Sequence, residues 1–434
     1  MSATATLRRV ASRPAGVTRE ATAFLAAVAV VALHVIDDSF VQPQPGTSAT
    51  DHVVSGLVAL ALLALAAWAY PRLSGGRRGA LALALGMFGA ATGIEAVHYS
   101  STVGASGDDY TGLLALPFAA LLLGLGAATL WRTRRNDAPV WRRHGRRALY
   151  GVAGFVAFAF VVFPMGFAYV TTHTGRSAVP ADELGVAHED VSFTTSDGLR
   201  LEGWYIPSRN GAAVIAFPGR RGPQEKARML ARHGYGVLLF DRRGEGASDG
   251  DPHAFGWGGD EDIKAAIALL QARPDVDGDR IGGIGLSVGG ELMIEAAAET
   301  PALKAVVSDG AGFRSFREEL DTEFTGANAV LGPVAAVMKS AWLAVFSDQA
   351  PPDDLRDLVG RISPRPVMLI AAPHSGHAEE LNRGYYRAAG EPKTLWEVPE
   401  ARHMGAQDER PAEYERRVVK FFDEALLADT PGRQ

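Results

Sequence analysis

The sequence predicts a chain in two parts: an all-α bundle of five membrane-crossing helices, then an α/β domain with a mostly parallel sheet and helices on both faces. Three observations predict it. The 434 residues exceed one typical domain. The hydrophobic fraction is 47%, yet long uncharged apolar runs crowd the first part of the chain, up to about Val170. Beyond it, short β-branched runs alternate with stretches of helical composition, the pattern of parallel strands joined by crossover helices.

Bulk properties exclude several classes. A formal charge of −6 gives no basis for a nucleic-acid partner. Cysteine is absent, which excludes disulfides, thiolate metal sites and a cysteine nucleophile and leaves the compartment open.

Crossing about 30 Å of hydrocarbon takes roughly 20 mostly apolar residues in a helix. The stretches Thr22 to Ile36, His52 to Tyr70, Gly79 to His98, Thr111 to Trp131 and Ala148 to Val170 qualify. Val35-Ile36-Asp37-Asp38 lacks a small-residue cleavage site, so the first is read as a retained span and not as a signal peptide. Basic residues gather on the cytoplasmic side. Arg8, Arg9, Arg13 and Arg19 precede span one; Arg72, Arg77 and Arg78 follow span two; Arg132, Arg134, Arg135, Arg142, Arg143, Arg146 and Arg147 separate spans four and five. The other two connections carry Asp37, Asp38, Asp51, Asp108 and Asp109 and no basic residue. The N-terminus is therefore expected inside, and everything after Thr171 outside.

His34, Asp37, Asp38, His52, Glu95 and His98 lie near the outer ends of these spans. Glu95 and His98, three apart on one helix face, could share a metal. Mutual pairing that fixes helix register is the preferred reading.

The expected domains are a cytoplasmic segment 1–20, a transmembrane domain 21–171, a linker 172–185 and an α/β domain 186–427. In the last, "AAVIAF", "GVLLF", "RIGGIG", "KAVVSD", "PVMLIAA" and "TLWEVP" read as strands. Chemistry in such sheets gathers at the carboxyl ends of the strands.

"GIGLSVGG" follows the strand "RIGGIG". As a dinucleotide loop, Gly283, Gly285 and Gly289 give GxGxxxG, with Asp309 ending the next strand as a ribose-binding acid. That reading puts the loop in mid-sheet and leaves Ser287 unexplained. As a nucleophile elbow, Gly285-Leu286-Ser287-Val288-Gly289 is GxSxG between strand and helix, and every glycine clears space for a strained serine. His403, in the loop after the last strand, is the expected base. The loop Pro218-Gly219-Arg220-Arg221-Gly222 is expected to present the Arg220 N–H beside that of Val288 to an oxyanion.

With the Pro-Gly loop, "DRRGEGAS" from Asp241 to Ser248, the elbow and "RAAGEPKTLWEVPEARH", most of residues 190–425 resembles the α/β-hydrolase superfamily. The likeness is strongest to bacterial proteins similar to dienelactone hydrolases and acyl-peptidase-type esterases. The whole arrangement also resembles a group of uncharacterised actinobacterial membrane proteins. The resemblance implies an α/β-hydrolase fold and a Ser-acid-His triad. It usually places an aspartate, as GxxDxxVP, after the strand "PVMLIAA", where this chain has Pro373-His374-Ser375-Gly376-His377-Ala378-Glu379-Glu380. Glu379 or Glu380 could serve, Glu379 being slightly preferred, and Asp309 is the other candidate. Asp241 is assigned a structural role, bracing its loop. The segment at about 311–361 is expected to cap the site, in preference to dipping into the outer leaflet; its "VLGPVAAVMKSAWLAVF" is apolar but interrupted by Pro333 and Lys339 and too short for a span.

The expectation is thus a membrane-anchored serine hydrolase acting outside the cytoplasm on an ester or thioester of a lipid or small acyl compound. It needs no cofactor or metal, and its partners are the acyl substrate and membrane lipids; oligomeric state is not read. Two alternatives stand beside it: a hydrolase fold kept for sensing or binding alone, and an acyltransferase.

Overall fold

The structure is a computed structural model that describes residues 15–102, 107–133, 139–176, 184–218, 222–322 and 328–428. The chain divides into two units: residues 1–43 with 52–154, and residues 44–51 with 155–434.

The first unit is helical, with α1 (Ala15–Ile36), α2 (Val53–Ala69), α3 (Gly75–Thr102), α4 (Asp109–Arg132) and most of α5 (Val140–Ala157). Helices α3 and α4 pack most closely, because small residues let their backbones approach. A Cβ on Gly79 would lie 2.9 Å from the Gly126 carbonyl oxygen, and one on Gly93 would lie 3.1 Å from that of Gly112. Polar groups tie the ends. Glu20 accepts from the Tyr70 hydroxyl at 3.0 Å and lies 3.6 Å from Arg78 and 3.4 Å from Arg132. His34 Nδ1 lies 3.1 Å from the Thr111 hydroxyl, which donates to Asp37 at 2.8 Å. This chain joins α1 to α4, as helix pairing requires. Glu95 is half-buried and His98 exposed. Among the described residues no cluster of three or more His, Asp or Glu is arranged to hold a metal.

The second unit begins inside the helix that continues α5 through a wider turn, Phe158–Val162, into α6 (Phe163–Thr172). Strands β1 (Glu189–Thr194), β2 (Arg200–Ile206), β3 (Ala213–Phe217), β4 (Gly236–Phe240), β5 (Ile281–Leu286), β6 (Ala305–Asp309), β7 (Val367–Ala371) and β8 (Lys393–Glu397) form one sheet in the order β1-β2-β4-β3-β5-β6-β7-β8. Only β2 runs against its neighbours; β4 through β8 are parallel. Strands β3 to β7 are buried along their whole length, which explains why they read as unbroken apolar runs.

Alternation then sends Ile215, Phe217, Leu238, Phe240, Val306 and Leu369 to one face, with α8 (Asp260–Gln271), α9 (Val288–Glu299) and α12 (Leu355–Gly360). Val214, Ala216, Leu239, Val307 and Ile370 go to the other, with α7 (Gln224–Arg232) and α15 (Pro411–Phe422). Between β6 and β7 lie α10 (Phe316–Leu320), α11 (Asn328–Ser347) and α12. α13 (Asn382–Ala388) and α14 (Ala406–Glu409) complete the helices.

Six helices among the described residues are long and apolar enough to cross a membrane: the five expected spans, and Ala329–Ser347 within α11. The sixth was expected to be too short and interrupted by Pro333 and Lys339. It nevertheless runs unbroken from Asn328 to Ser347 with Pro333 inside it, giving up the hydrogen bond that residue 333 would make to the Ala329 carbonyl.

The loop after β4 is braced by charge. Arg243 Nε donates to Asp262 at 2.7 Å, its backbone N–H to the same carboxylate at 3.0 Å, and Nη1 to Asp197 at 2.9 Å. Asp262 is fully buried. Removing one partner of such a pair strands the other charge, so Asp262→Ala should destabilise the chain by about 3–5 kcal/mol. Thermal unfolding of the full chain in detergent checks this, and an unchanged transition would mean that other contacts hold the loop.

Candidate active site

Strand β5 ends at Leu286 and α9 begins at Val288, leaving one residue for the turn. Ser287 makes it with φ 54° and ψ −124°, a conformation that side chains other than glycine adopt rarely. So tight a turn needs bare neighbours. A Cβ on Gly285 would lie 2.1 Å from the Gly289 carbonyl oxygen, and one on Gly289 would lie 2.6 Å from that of Pro218. The Ser287 N–H donates to the Asp309 carbonyl at 2.8 Å, pinning the elbow to the end of β6.

His403, in the loop between β8 and α14, meets the serine: its Nε2 lies 2.9 Å from Ser287 Oγ. On the other side its Nδ1 lies 2.7 Å from Glu379 Oε1. A carboxylate only accepts, so the imidazole proton belongs on Nδ1, and Nε2 accepts from the serine hydroxyl. Glu379 is 1% exposed. Its Oε2 accepts from the Ala372 N–H at 2.6 Å, and its Oε1 also accepts from the Ser375 hydroxyl at 3.0 Å. These contacts fix the carboxylate in place beside the imidazole.

The three carboxyl candidates are separated by local backbone. Ala378 takes a left-handed conformation at φ 60° and starts a short turn, Glu379–Leu381, whose first residue faces inward. Glu380, the next residue, is half-buried, and the imidazole bonds to Glu379 instead. Asp309 is buried, but its carboxylate accepts from the Tyr414 hydroxyl at 2.8 Å. Burial raises its pKa to about 6, against the pull of Lys226 and Tyr414.

Val288 opens α9, so its N–H is one of those that a helix cannot satisfy internally. Arg220, the other expected oxyanion donor, lies outside the described residues. Pro218, the residue after β3, lies against the elbow at Gly289.

Two features were not read from the sequence. Ser375, four residues before Glu379, bonds it directly; the spacing was visible, but only a chosen acid gives it meaning. The His377 ring stacks on His403 with centroids 4.3 Å apart and planes 12° from parallel. The residue stood in the quoted acid loop without a signal to distinguish it from His374.

A reversed second strand on an otherwise parallel sheet, with a GxSxG elbow ending β5, gives the second unit an α/β-hydrolase fold. The family model described as X-Pro dipeptidyl-peptidase (S15 family) matches residues 165–354, which include Ser287 and stop before Glu379 and His403. Among curated proteins, the uncharacterized protein YfhR of Escherichia coli is 28% identical over 256 residues, covering 55% of this chain and 81% of its own. The polyketide transferase grgF of a Penicillium species is 36% identical over 134 residues, covering 27% of this chain and 43% of its own. Among solved structures, the Pyrococcus furiosus esterase Pf2001 is similar with a TM-score of 0.46 and 22% identity, over 58% of this chain and 98% of that one.

The geometry sorts the carboxylates by experiment. Glu379→Gln should lower kcat/KM on a short-chain p-nitrophenyl ester by on the order of 10³- to 10⁴-fold, as loss of an imidazole-orienting acid does. Glu380→Gln should stay near the unsubstituted rate. Equal losses in the two variants, or a larger one in Asp309→Asn, would move the acid elsewhere.

Proposed function

We propose that the chain is a membrane-anchored serine hydrolase that cleaves an ester or thioester of a lipid or small acyl compound. One observation carries the reading: the unbroken series of contacts from Ser287 Oγ through His403 to the buried Glu379 carboxylate, at 2.9 Å and 2.7 Å. In this reading His403 Nε2 takes the hydroxyl proton as Ser287 Oγ attacks the acyl carbonyl. The Val288 N–H and a donor from the Pro218–Gly222 loop hold the oxyanion. His403 returns the proton to the leaving alcohol or thiol, and water repeats the sequence on the acyl-enzyme. Glu379 stabilises the imidazolium and keeps the ring in the productive tautomer.

Labelling by a fluorophosphonate probe tests this directly. The full chain should label and Ser287→Ala should not; labelling that survives the substitution would overturn the assignment.

Acyl transfer is the second reading, favoured by the similarity to a protein named a polyketide transferase. It shares every step to the acyl-enzyme and differs in the acceptor, an alcohol in place of water. A domain kept for binding alone has little support beside an assembled acid, imidazole and hydroxyl.

In this reading the hydrolase unit lies outside the cytoplasm, which the arginine distribution supports. Support comes from the connection between α1 and α2, which the same distribution puts outside. Its residues 44–51 cluster with the hydrolase unit, where the Pro45 carbonyl accepts from the Gly250 N–H at 2.7 Å. An alkaline phosphatase fused after Thr172 should be active, and an inactive fusion would place the enzyme inside.

A further inference from the structure

Helix α11 is more apolar than a helix on a water-facing domain needs to be. Val330, Val334 and Val337 are 76%, 50% and 45% exposed, and Ala341 is exposed as well. At spacings of four, three and four they form one continuous stripe. The opposite face, with Ala336, Ser340, Leu343 and Phe346, is buried. The helix has one charged side chain, Lys339. Its ammonium leaves the stripe unbroken: it pairs with Glu319 at 2.5 Å and lies 5.2 to 5.8 Å from the ring centroids of Phe313, Phe255 and Phe167.

By length and composition α11 could cross a membrane. The sheet forbids it. The helix is inserted between β6 and β7, and these strands are hydrogen-bonded neighbours in parallel register, with Val306 opposite Val367 and Asp309 opposite Ile370. One crossing between them would leave the two halves of the sheet on opposite sides of the bilayer. Any contact of α11 with lipid is therefore confined to one leaflet.

What α11 packs against sets its depth. Its neighbours are α6 and the preceding turn Phe158–Val162, and Phe346 meets Tyr169 edge-on at 5.5 Å. Both neighbours belong to the helix that runs unbroken from Val140 to Thr172. Counting about 20 residues of hydrocarbon from Arg147 ends the span near Phe167, so the packed segment is its distal half.

We infer that α11 is immersed in the leaflet on the side of the hydrolase unit, its Val330-Val334-Val337-Ala341 face in contact with acyl chains. The inference rests on the reading of Val140–Thr172 as a membrane span. It also bears on the substrate class. Phe255 lies 6.2 Å from Phe167 by ring centroids, and a Cβ on the adjoining Gly256 would touch Leu292 and Val288, the residue after the nucleophile. The loop carrying Phe255 and Gly256 thus packs between α6 and the start of α9, which brings the immersed face close to the elbow, as suits a lipid acyl substrate.

The absence of cysteine allows single nitroxide labels to be placed at will. The full chain is reconstituted in phosphatidylcholine vesicles with labels at Val330→Cys, Val334→Cys or Val337→Cys. Val152→Cys serves as the span reference and Asp279→Cys as the water reference. Collision rates with oxygen and with a nickel chelate are then compared. The three α11 labels should match the span reference, with oxygen favoured and nickel excluded several-fold relative to Asp279→Cys. Nickel access at α11 with the span reference still protected would overturn the inference and leave the span intact. Nickel access at Val152→Cys as well would overturn both.

Discussion

Everything at the site hangs on one close approach, that of the β5–Ser287–α9 turn to the backbone of its neighbours. Gly285 and Gly289 leave no room for a methyl group, and the Ser287 N–H is held by the carbonyl of Asp309. The serine therefore cannot relax into an ordinary strand or helix conformation without parting β5 from β6 or α9 from the end of β3. Strain of about 1–3 kcal/mol at such a residue survives only because the surrounding sheet over-determines it. The exposed hydroxyl, the free amide at the start of α9 and the reach of His403 all follow from that constraint.

The fold was legible because its central strands are buried on both faces and so announce themselves as apolar runs, and because GxSxG, the Pro-Gly loop and a late histidine fall in the order the topology requires. The identity of the acid was not. Glu379 and Glu380 are adjacent and chemically equivalent, and the choice between them is made by the left-handed Ala378, an alanine in a conformation that no propensity assigns to it. Asp309 was attractive as the last residue of a strand beside the elbow, yet its carboxylate is taken by Tyr414, more than 100 residues away in sequence. Such long-range pairings leave no local trace.

The helical unit shows the same division. Runs of apolar residues gave the helices and the arginines suggested their direction, whereas the packing of α3 on α4 depends on which glycines face each other. Helix α11 is the converse case. Pro333 and Lys339 marked it as broken, but the helix continues through the proline with one hydrogen bond fewer and the lysine finds Glu319 and three aromatic rings. The pairing of its flanking strands β6 and β7 then rules out a crossing, a restriction that composition alone could not supply.

The contact between Pro45 and Gly250 also carries a consequence for biosynthesis. The two residues are about 200 positions apart, so at about 5–20 residues per second the ribosome needs on the order of 10–40 seconds to supply the partner. During that interval the α1–α2 connection waits with its contact surface not yet made. Closing this contact is therefore a late step of folding, possible only once β4 and the loop that follows it have emerged.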